Sequence, residues 1–237
     1  DSGVGGVLVA FLGEDSSGNA YLLAVAGTGT WPGIVPLPRG SNWAELRGVG
    51  HLLDDRGTGL FTSAMALANW HRANSRCSRC GAETSPVAAG WARRCPECGV
   101  EHYPRTDPAV IMCVTDDEDR VLLGRQALWP TRRYSVLAGF VEPGESLEAA
   151  VRREVLEETQ VKVDEVVYKG SQPWPFPSSL MMGFFARATT TDITVDGTEL
   201  ADAGWWTRER LTSDILSGEV LLPPEVSIAR RLLEHWY

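Results

Sequence analysis

The chain has 237 residues, of which 43% are hydrophobic and 22% are charged, an ordinary globular composition with enough length for more than one core. Its net charge of −9 argues against a general polyanion-binding protein, because phosphates are repelled unless a local site is basic or carries metal. Residues 7–12 form an apolar run that is too short to span a bilayer, and no basic segment precedes it. We therefore expect one to three domains, no membrane association and a cytoplasmic location, while the start at Asp1 leaves a trimmed N-terminus open.

Residues 1–73 are expected to form a small N-terminal α/β domain without a catalytic site. Three β-rich runs alternate with turns in this segment, namely GVLVAFL, YLLAVAG and WPGIVPLP. Residues 43–53 and 62–73 are predicted to be helices. Arg47, on the first of these helices, is interpreted as a surface residue in an ion pair. Because the segment contains nothing like an acidic cluster on a helix, we expect it to support packing or a dimer.

Residues 74–103 contain two Cys-x-x-Cys pairs, Cys77 with Cys80 and Cys95 with Cys98, which are separated by fourteen residues. Two such pairs can offer four thiolates in the tetrahedral arrangement that Zn²⁺ prefers in a closed structural site. Disulfides would need an oxidising compartment, which nothing in the sequence indicates, and a redox role for one pair would leave the other unexplained. We therefore predict a zinc ribbon. The fifth cysteine, Cys113, is predicted to be a buried core thiol.

The ribbon coincides with an electropositive zone of the chain. Six arginines and three glutamates lie between residues 71 and 105, which gives this stretch a charge of +3 and leaves −12 for the rest. Four of the arginines are predicted to decorate the surface of the ribbon: Arg76, Arg79, Arg93 and Arg94. Since a ribbon of this kind is also a common nucleic-acid-binding device, an RNA-binding role stays open.

Residues 104–237 alternate strands and helices in a pattern typical of an α/β sandwich. The runs PAVIMCV and RVLLGRQ are predicted to form a hairpin joined by Asp-Asp-Glu-Asp, and YSVLAGF leads into a tight glycine loop. A helix follows, and further strands are predicted at VDEVVYKG, LMMGFFARA and ELADAGWWT. Two helices at residues 208–216 and 225–236 complete the domain. We expect a mixed sheet with helices on both faces.

The stretch GFVEPGESLEAAVRREVLEETQV, residues 139–161, carries the strongest functional signal. At 100° per residue, Glu154 and Glu158 share the azimuth of the apolar stripe of the predicted helix, and Glu157 lies on its flank. Like charges four residues apart repel, and burying them without compensation is costly. A hard divalent cation such as Mg²⁺ or Mn²⁺, which takes oxygen ligands, is the expected partner. The alternative is a solvated helix face with ion pairs such as Arg153 with Glu157.

A proline-rich segment, SQPWPFPSS at residues 171–179, separates two of the predicted strands. Each proline fixes its own φ and pushes the preceding residue toward an extended conformation. The segment is therefore predicted to be a stiff strip that displays Trp174 and Phe176, with Gln172 and two serines at its ends. Rigid aromatic side chains beside polar groups suit a flat heterocycle and its ribose, but a loop that covers the core fits the residues at least as well.

The ordered pattern of residues 139–161 resembles the signature of the Nudix hydrolases. Gly139 is followed after five residues by Glu145, and after seven more by REVLEE. Gln160 stands where the family pattern has glycine, a position expected to be a left-handed helix cap in which a non-glycine costs about 1 kcal/mol. With the four-cysteine ribbon ahead and SQPWPFPSS behind, the chain from about Cys77 onward is similar to the NADH pyrophosphatase branch of this family.

The resemblance implies an enzyme that splits the pyrophosphate of NADH or NAD⁺ into nicotinamide mononucleotide and AMP, and that removes NAD caps from RNA 5′ ends. It also implies Mg²⁺ or Mn²⁺ as the catalytic ion and a homodimer. The residues that match the family's metal ligands are Ala138, through its carbonyl, Glu154, Glu158 and Glu199. The residues that match its substrate contacts are Tyr103 from the second subunit, Phe140, Ala229 and the strip of Gln172, Pro173, Trp174, Pro175, Phe176, Pro177, Ser178 and Ser179.

The expected chemistry follows from charge. A diphosphate repels hydroxide, so the site must neutralise that charge and deprotonate water. We assign catalysis to Glu154, Glu157 and Glu158, and the base stays open among Glu157, Glu158, Glu199 and a metal-bound hydroxide.

Glu145 and Arg153 are expected to pair with each other and to hold the loop that begins at Gly139 against the helix.

Two alternative functions stay open. One is a catalytically impaired Nudix fold that binds RNA or protein, and the other is a broader dinucleotide pyrophosphatase.

Overall fold

The computed structural model describes residues 8–25, 39–195 and 197–237, and the chain divides into two compact units. The first unit comprises Asp1–Thr106 and Trp174–Ser178, and the second comprises Asp107–Pro173 and Ser179–Tyr237. The second unit begins close to the predicted start of the third domain at residue 104. The predicted boundary between residues 73 and 74 falls inside the first unit and stays a prediction. The predicted strand at WPGIVPLP lies outside the described residues.

The first unit starts with an antiparallel hairpin and two helices. Its elements are β1 (Leu8–Glu14), β2 (Ala20–Val25), α1 (Leu46–Val49) and α2 (Asp55–Ala73). The helix predicted at residues 43–53 was too long, because glycines at positions 48 and 50 weaken helix formation and the chain continues as a single 3₁₀ turn. The second helix starts earlier than predicted, because the Asp54 carboxylate accepts the amide N–H of Gly57 and caps it.

The ribbon of the first unit is a three-stranded antiparallel sheet of β3 (Ser85–Val87), β4 (Ala92–Arg94) and β5 (Glu101–His102). Arg93 was predicted to decorate its surface, which is wrong, because only 8% of this residue is exposed. Its guanidinium lies 3.0 Å from Nδ1 of His71 and donates to the carbonyl of Thr84 at 2.5 Å. The basic surface predicted for the ribbon is therefore smaller by one arginine.

The second unit contains a mixed six-stranded sheet. The strands are β6 (Asp107–Thr115), β7 (Val121–Gln126), β8 (Leu137–Phe140), β9 (Val163–Trp174), β10 (Ser179–Ala188) and β11 (Leu200–Trp206). Their hydrogen-bonded order is β11-β7-β6-β10-β9, with β8 pairing separately with β6. The pair of β6 and β10 is parallel, and the pairs of β6 with β7 and with β8 are antiparallel.

The predicted hairpin of β6 and β7 forms, but it pairs only at its turn. Thr115 and Val121 are the partners there, and the preceding half of β6 pairs with β8 instead. The pairing places Ala138 opposite Ile111 and Gly139 opposite Val110. This arrangement places the end of β8, where the stretch of residues 139–161 begins, in the middle of the sheet.

Helices cover both faces of this sheet, as predicted. The helices are α3 (Leu147–Thr159), α4 (Arg208–Leu216) and α5 (Ile228–Trp236). Alternate residues of β6 point to two separate cores, one shared with α3 and the other with α4 and α5. Cys113 is fully buried in the second core, and burial raises the pKa of its thiol to about 12, in agreement with the predicted core thiol. Among the described residues, no helix has the length and apolar character needed to cross a membrane.

Candidate metal and substrate site

Helix α3 carries the acidic residues into the protein. Ser146 caps it by accepting the amide N–H of Ala149 at 3.2 Å, so the helix begins at Leu147. Val151 and Val155 are fully buried on its inner face. Glu154 and Glu158 are buried on the same face, with 7% and 4% of each residue exposed. The predicted placement of two carboxylates on the apolar stripe is confirmed.

Gly139 leaves the space that Glu154 occupies. The sequence placed this glycine at the start of a tight loop, whereas the structure places it inside β8, and the loop begins after Phe140. A Cβ atom at position 139 would lie 1.9 Å from Cδ of Glu154. The glycine is therefore required by the close approach of strand and carboxylate, and not by a turn.

Three carboxylates converge at this point. Glu154, Glu158 and Glu199 each offer an oxygen, and these oxygens lie within 4.8 Å of one another. Burial raises the pKa of Glu154, while Arg153 opposes that rise. Oxygen donors at this spacing, two of them on buried residues, fit a hard divalent cation such as Mg²⁺ or Mn²⁺. Glu157 is different, because its side chain is 60% exposed and pairs with Arg153 at 3.0 Å.

Arg153 connects the loop to the helix. Its Nε and Nη2 atoms both donate to the Glu145 carboxylate at 2.9 Å, which is the predicted pair. The same guanidinium donates to the carbonyl of Phe140 and to Glu154, each at 2.8 Å. These hydrogen bonds from Arg153 lower the pKa of Glu145. The arginine thus fixes both the end of β8 and one carboxylate of the cluster.

The acidic cluster lines a cavity of about 650 Å³ in the second unit. Several predicted site residues meet in its wall: Ala138, Gly139, Phe140, Arg153, Glu154, Glu157, Glu158, Ser179 and Glu199. Phe140 is 60% exposed. The wall also includes residues that sequence reasoning missed, namely Gln126, Leu128, Glu142 and Thr198. Leu128 follows β7, Glu142 follows β8 and Thr198 precedes β11, and no local pattern distinguishes these three from ordinary loop residues.

Of the predicted substrate contacts, Phe140 and Ser179 line this cavity, and the others are not among its lining residues. Ala229 is buried in the core formed with α4 and α5 and is not among the residues that line the cavity. The side-chain amide of Gln172 accepts the N–H of Ile228 at 2.7 Å and donates to the carbonyl of Val226 at 2.8 Å, so it anchors the start of α5. Tyr103 belongs to the first unit, is 65% exposed, and donates its hydroxyl to Glu101 at 2.6 Å.

The proline strip begins as the end of β9 and turns before β10. The ring centroids of Trp174 and Phe176 lie 5.0 Å apart in an edge-to-face arrangement, and the Phe176–Pro177 peptide bond is cis. The guanidinium of Arg47 lies 4.0 Å from the centroid of the Phe176 ring. Arg47 was predicted to make a surface ion pair, and the structure places it against this aromatic ring instead.

The four cysteines of the ribbon form a compact cluster. Sγ of Cys77 lies 3.6 Å from that of Cys98, and Sγ of Cys80 lies 3.5 Å from that of Cys95. A zinc ion with four Zn–S bonds of about 2.3 Å needs Sγ–Sγ separations of about 3.8 Å, so the thiols are close to that geometry. All four are free thiols, and the distances are far longer than a disulfide bond of about 2.05 Å.

Comparison with known proteins gives a consistent result. Residues 105–234 match the NUDIX domain family, and residues 72–103 match the NADH pyrophosphatase zinc ribbon domain. A relative described as "NAD-capped RNA hydrolase NudC", from Mycobacterium bovis, is 47% identical over 202 residues, which cover 81% of this chain and 64% of that protein. The chain therefore spans a little under two thirds of the length of this relative.

Two further similarities extend the comparison. A relative from Macaca fascicularis, described as "NAD-capped RNA hydrolase NUDT12", is 43% identical over 78% of this chain and 42% of its own length. A crystal structure of a NUDIX hydrolase from Nitrosomonas europaea is 27% identical, with a TM-score of 0.50 over 57% of this chain and 79% of that chain. The similarity in structure agrees with the mixed sheet and the acidic helix of the second unit.

Proposed function

Because this chain belongs to the NUDIX domain family, we propose that it hydrolyses the pyrophosphate bond of NADH or NAD⁺ and removes NAD caps from RNA 5′ ends. The products from the free dinucleotide would be nicotinamide mononucleotide and AMP. The single observation that carries this proposal is the intact cluster of Glu154, Glu158 and Glu199 at the wall of an open cavity. The matched zinc ribbon, and the description of two relatives as NAD-capped RNA hydrolases, favour NAD(H) over other diphosphates.

The acidic cluster suits a charged diphosphate only together with cations. Glu154, Glu158 and Glu199, with the carbonyl of Ala138, would hold Mg²⁺ or Mn²⁺, which when bound neutralises phosphate charge and lowers the pKa of water. Side chains of the protein then hold these carboxylates in position. Arg153 holds Glu154 at 2.8 Å and leaves the other carboxylates of the cluster to face the cavity. Glu157, Glu158 and Glu199 stay candidates for the group that takes the proton from water.

The substrate would be held by aromatic and polar groups. Phe140 is exposed at the cavity and offers a flat face for a nicotinamide ring, and the strip at residues 172–179 offers Trp174 and Phe176. We assign Tyr103 to the nicotinamide pocket of a homodimer partner, whereas the burial of Ala229 in the core does not support its predicted place in the lining of that pocket. A reduced four-thiol zinc site favours a reducing compartment, which agrees with a cytoplasmic location.

Replacement of Glu158 by glutamine tests the metal assignment. The amide keeps the size of the side chain but removes a buried negative charge, so we expect kcat/KM for NADH with Mn²⁺ to fall at least about 100-fold. Glu148→Gln is the matched control, because Glu148 is an exposed residue in the first turn of the same helix. Release of AMP is measured by chromatography, and the melting temperature of each variant shows that it is folded.

Three outcomes would contradict the proposal. Full turnover by Glu158→Gln would remove the cluster from the mechanism. Salt-sensitive RNA binding without hydrolysis of any dinucleotide would favour the impaired RNA-binding fold. Equal kcat/KM for NADH and ADP-ribose would favour a broader dinucleotide pyrophosphatase, because only NADH can use a nicotinamide pocket.

A further inference from the structure

The proline strip is held by a helix that lies more than a hundred residues earlier in the chain. Residues Trp174–Ser178 form part of the first compact unit, although the strands on either side belong to the second. Nδ2 of Asn69, on α2, donates to the carbonyl of Pro175 at 3.0 Å and lies 3.5 Å from the carbonyl of Pro177. One side-chain amide therefore serves two carbonyls on either side of Phe176.

The chemistry of the strip explains why such a contact is needed. Pro175 and Pro177 have no amide hydrogen, so the part of the strip between β9 and β10 cannot be held by a regular strand ladder. Within the strip, the N–H of Phe176 donates a backbone hydrogen bond to the carbonyl of Trp174, two residues earlier, at 2.7 Å. Pro175 is buried, so its carbonyl needs a donor from outside the strip, and the amide of Asn69 supplies one while also lying near the carbonyl of Pro177.

We propose that Asn69 is a positioning residue for the substrate, which acts by fixing the backbone on both sides of Phe176. The hydrogen bonds of the Asn69 side chain run to carbonyls of the strip and not to the carboxylates of the acidic cluster. Its effect is therefore on the strip and not on the reacting bond. This inference rests on the proposed function, since it takes the strip to hold a nucleoside of the substrate. It gives the N-terminal segment, which the sequence predicted to be non-catalytic, a part in substrate binding.

The experiment compares Asn69→Ala with Asn74→Ala in the full chain. Asn74 is the matched control, because its Nδ2 atom also donates to a carbonyl, that of Trp70 at 2.9 Å, but at the C-terminal end of α2 and not to the strip. Hydrogen exchange of the peptide that contains residues 171–180 is measured by mass spectrometry. We expect faster exchange at the amides of Phe176 and Ser178 in Asn69→Ala and no change in Asn74→Ala.

The kinetic arm uses NADH with Mn²⁺. A neutral hydrogen bond contributes enough for about a five-fold effect, so we expect KM to rise about five-fold in Asn69→Ala while kcat stays within two-fold. Asn69→Asp keeps the shape but directs a carboxylate oxygen at the two carbonyls, and we expect a larger rise in KM. Asn74→Ala should leave both constants unchanged, even where the two alanine variants lose similar amounts of thermal stability.

The two arms separate the inference from the proposed function. Unchanged exchange in the strip of Asn69→Ala would overturn the inference, whatever the substrate is. Faster exchange with an unchanged KM would also overturn it, because the strip would then be held without consequence for binding. A wild-type protein that fails to hydrolyse NADH would instead defeat the proposed function, and the exchange result would still decide whether Asn69 holds the strip.

Discussion

At position 139 the absence of a side chain decides whether the acidic cluster can form. A Cβ atom there would overlap the carboxylate of Glu154, with Cδ at 1.9 Å and both oxygens at 2.2 Å or less. We expect Gly139→Ala to displace Glu154 and to reduce kcat/KM for NADH at least about 100-fold, because a misplaced ligand weakens both ion binding and orientation. Isothermal titration with Mn²⁺ should show weaker binding as well.

Gly59→Ala is the control for this prediction. Gly59 lies inside α2, and a Cβ atom there would meet nothing within 4 Å. Alanine favours a helix over glycine by about 1 kcal/mol, so this variant should melt at a higher temperature than the wild type and keep its activity. Normal Mn²⁺ binding by Gly139→Ala would show that the contact with Glu154 can relax at little cost.

At the scale of the element, the end of α3 carries a strained residue. Gln160 adopts φ 60° and ψ 7°, the left-handed conformation that was predicted for a glycine cap. Its side chain compensates in part, because Nε2 donates to the carbonyl of Leu156 at 3.0 Å. We expect Gln160→Gly to increase the free energy of unfolding by about 0.5–1 kcal/mol, since relief of the backbone strain exceeds the loss of one exposed hydrogen bond. Urea unfolding measures this change, and activity should stay constant.

Asp119→Gly provides the contrast. Asp119 also has a left-handed backbone, at φ 58°, but its carboxylate pairs with Arg208 and accepts the indole N–H of Trp236 at 3.1 Å. Arg208 lowers the pKa of this carboxyl, in keeping with a stabilising contact. We expect Asp119→Gly to lower stability, because two side-chain contacts are lost. Destabilisation by Gln160→Gly would mean that the side-chain bond outweighs the strain at the end of α3.

Features fixed by neighbouring residues could be predicted from the sequence. Helix α3 was recognised because its apolar spacing is local, and the ribbon was recognised from the spacing of its cysteines. The burial of Arg93 could not be predicted, because it depends on His71, 22 residues earlier. The position of Leu128 in the cavity wall could not be predicted either. Leu128 is an exposed loop residue, and only the folded structure shows that it lines the cavity.

The reason for Gly139 was also beyond local reasoning. The sequence motif marks the position, but the cause is a tertiary contact between a strand and the side chain of Glu154. Roles taken from the family resemblance have the same limit. Gln172 matches a substrate contact by sequence, and in the structure both ends of its amide are bound to the backbone near the start of α5.

At the scale of the whole molecule, two metal sites with different donor atoms lie in different compact units. The first unit offers four thiols and the second offers three carboxylates. Thiolates prefer Zn²⁺, and carboxylates prefer Mg²⁺ or Mn²⁺, so each site should select its own ion from a mixture. The ribbon has only three short strands of two or three residues, too little structure to fold without its ion.

We therefore expect each site to fail independently when its own ligands are changed. Cys80→Ser, at the one exposed cysteine of the four, should remove about one zinc ion per chain and lower the unfolding temperature, because zinc binding contributes to folding of the ribbon. Glu158→Gln should keep that zinc and lose Mn²⁺ binding. Cys113→Ala is the control, because Cys113 lies in the core of the second unit. This variant should retain its zinc even if the packing of that core is weakened. Atomic absorption measures zinc and titration calorimetry measures Mn²⁺; wild-type zinc content in Cys80→Ser, with unchanged stability, would refute the four-thiol site.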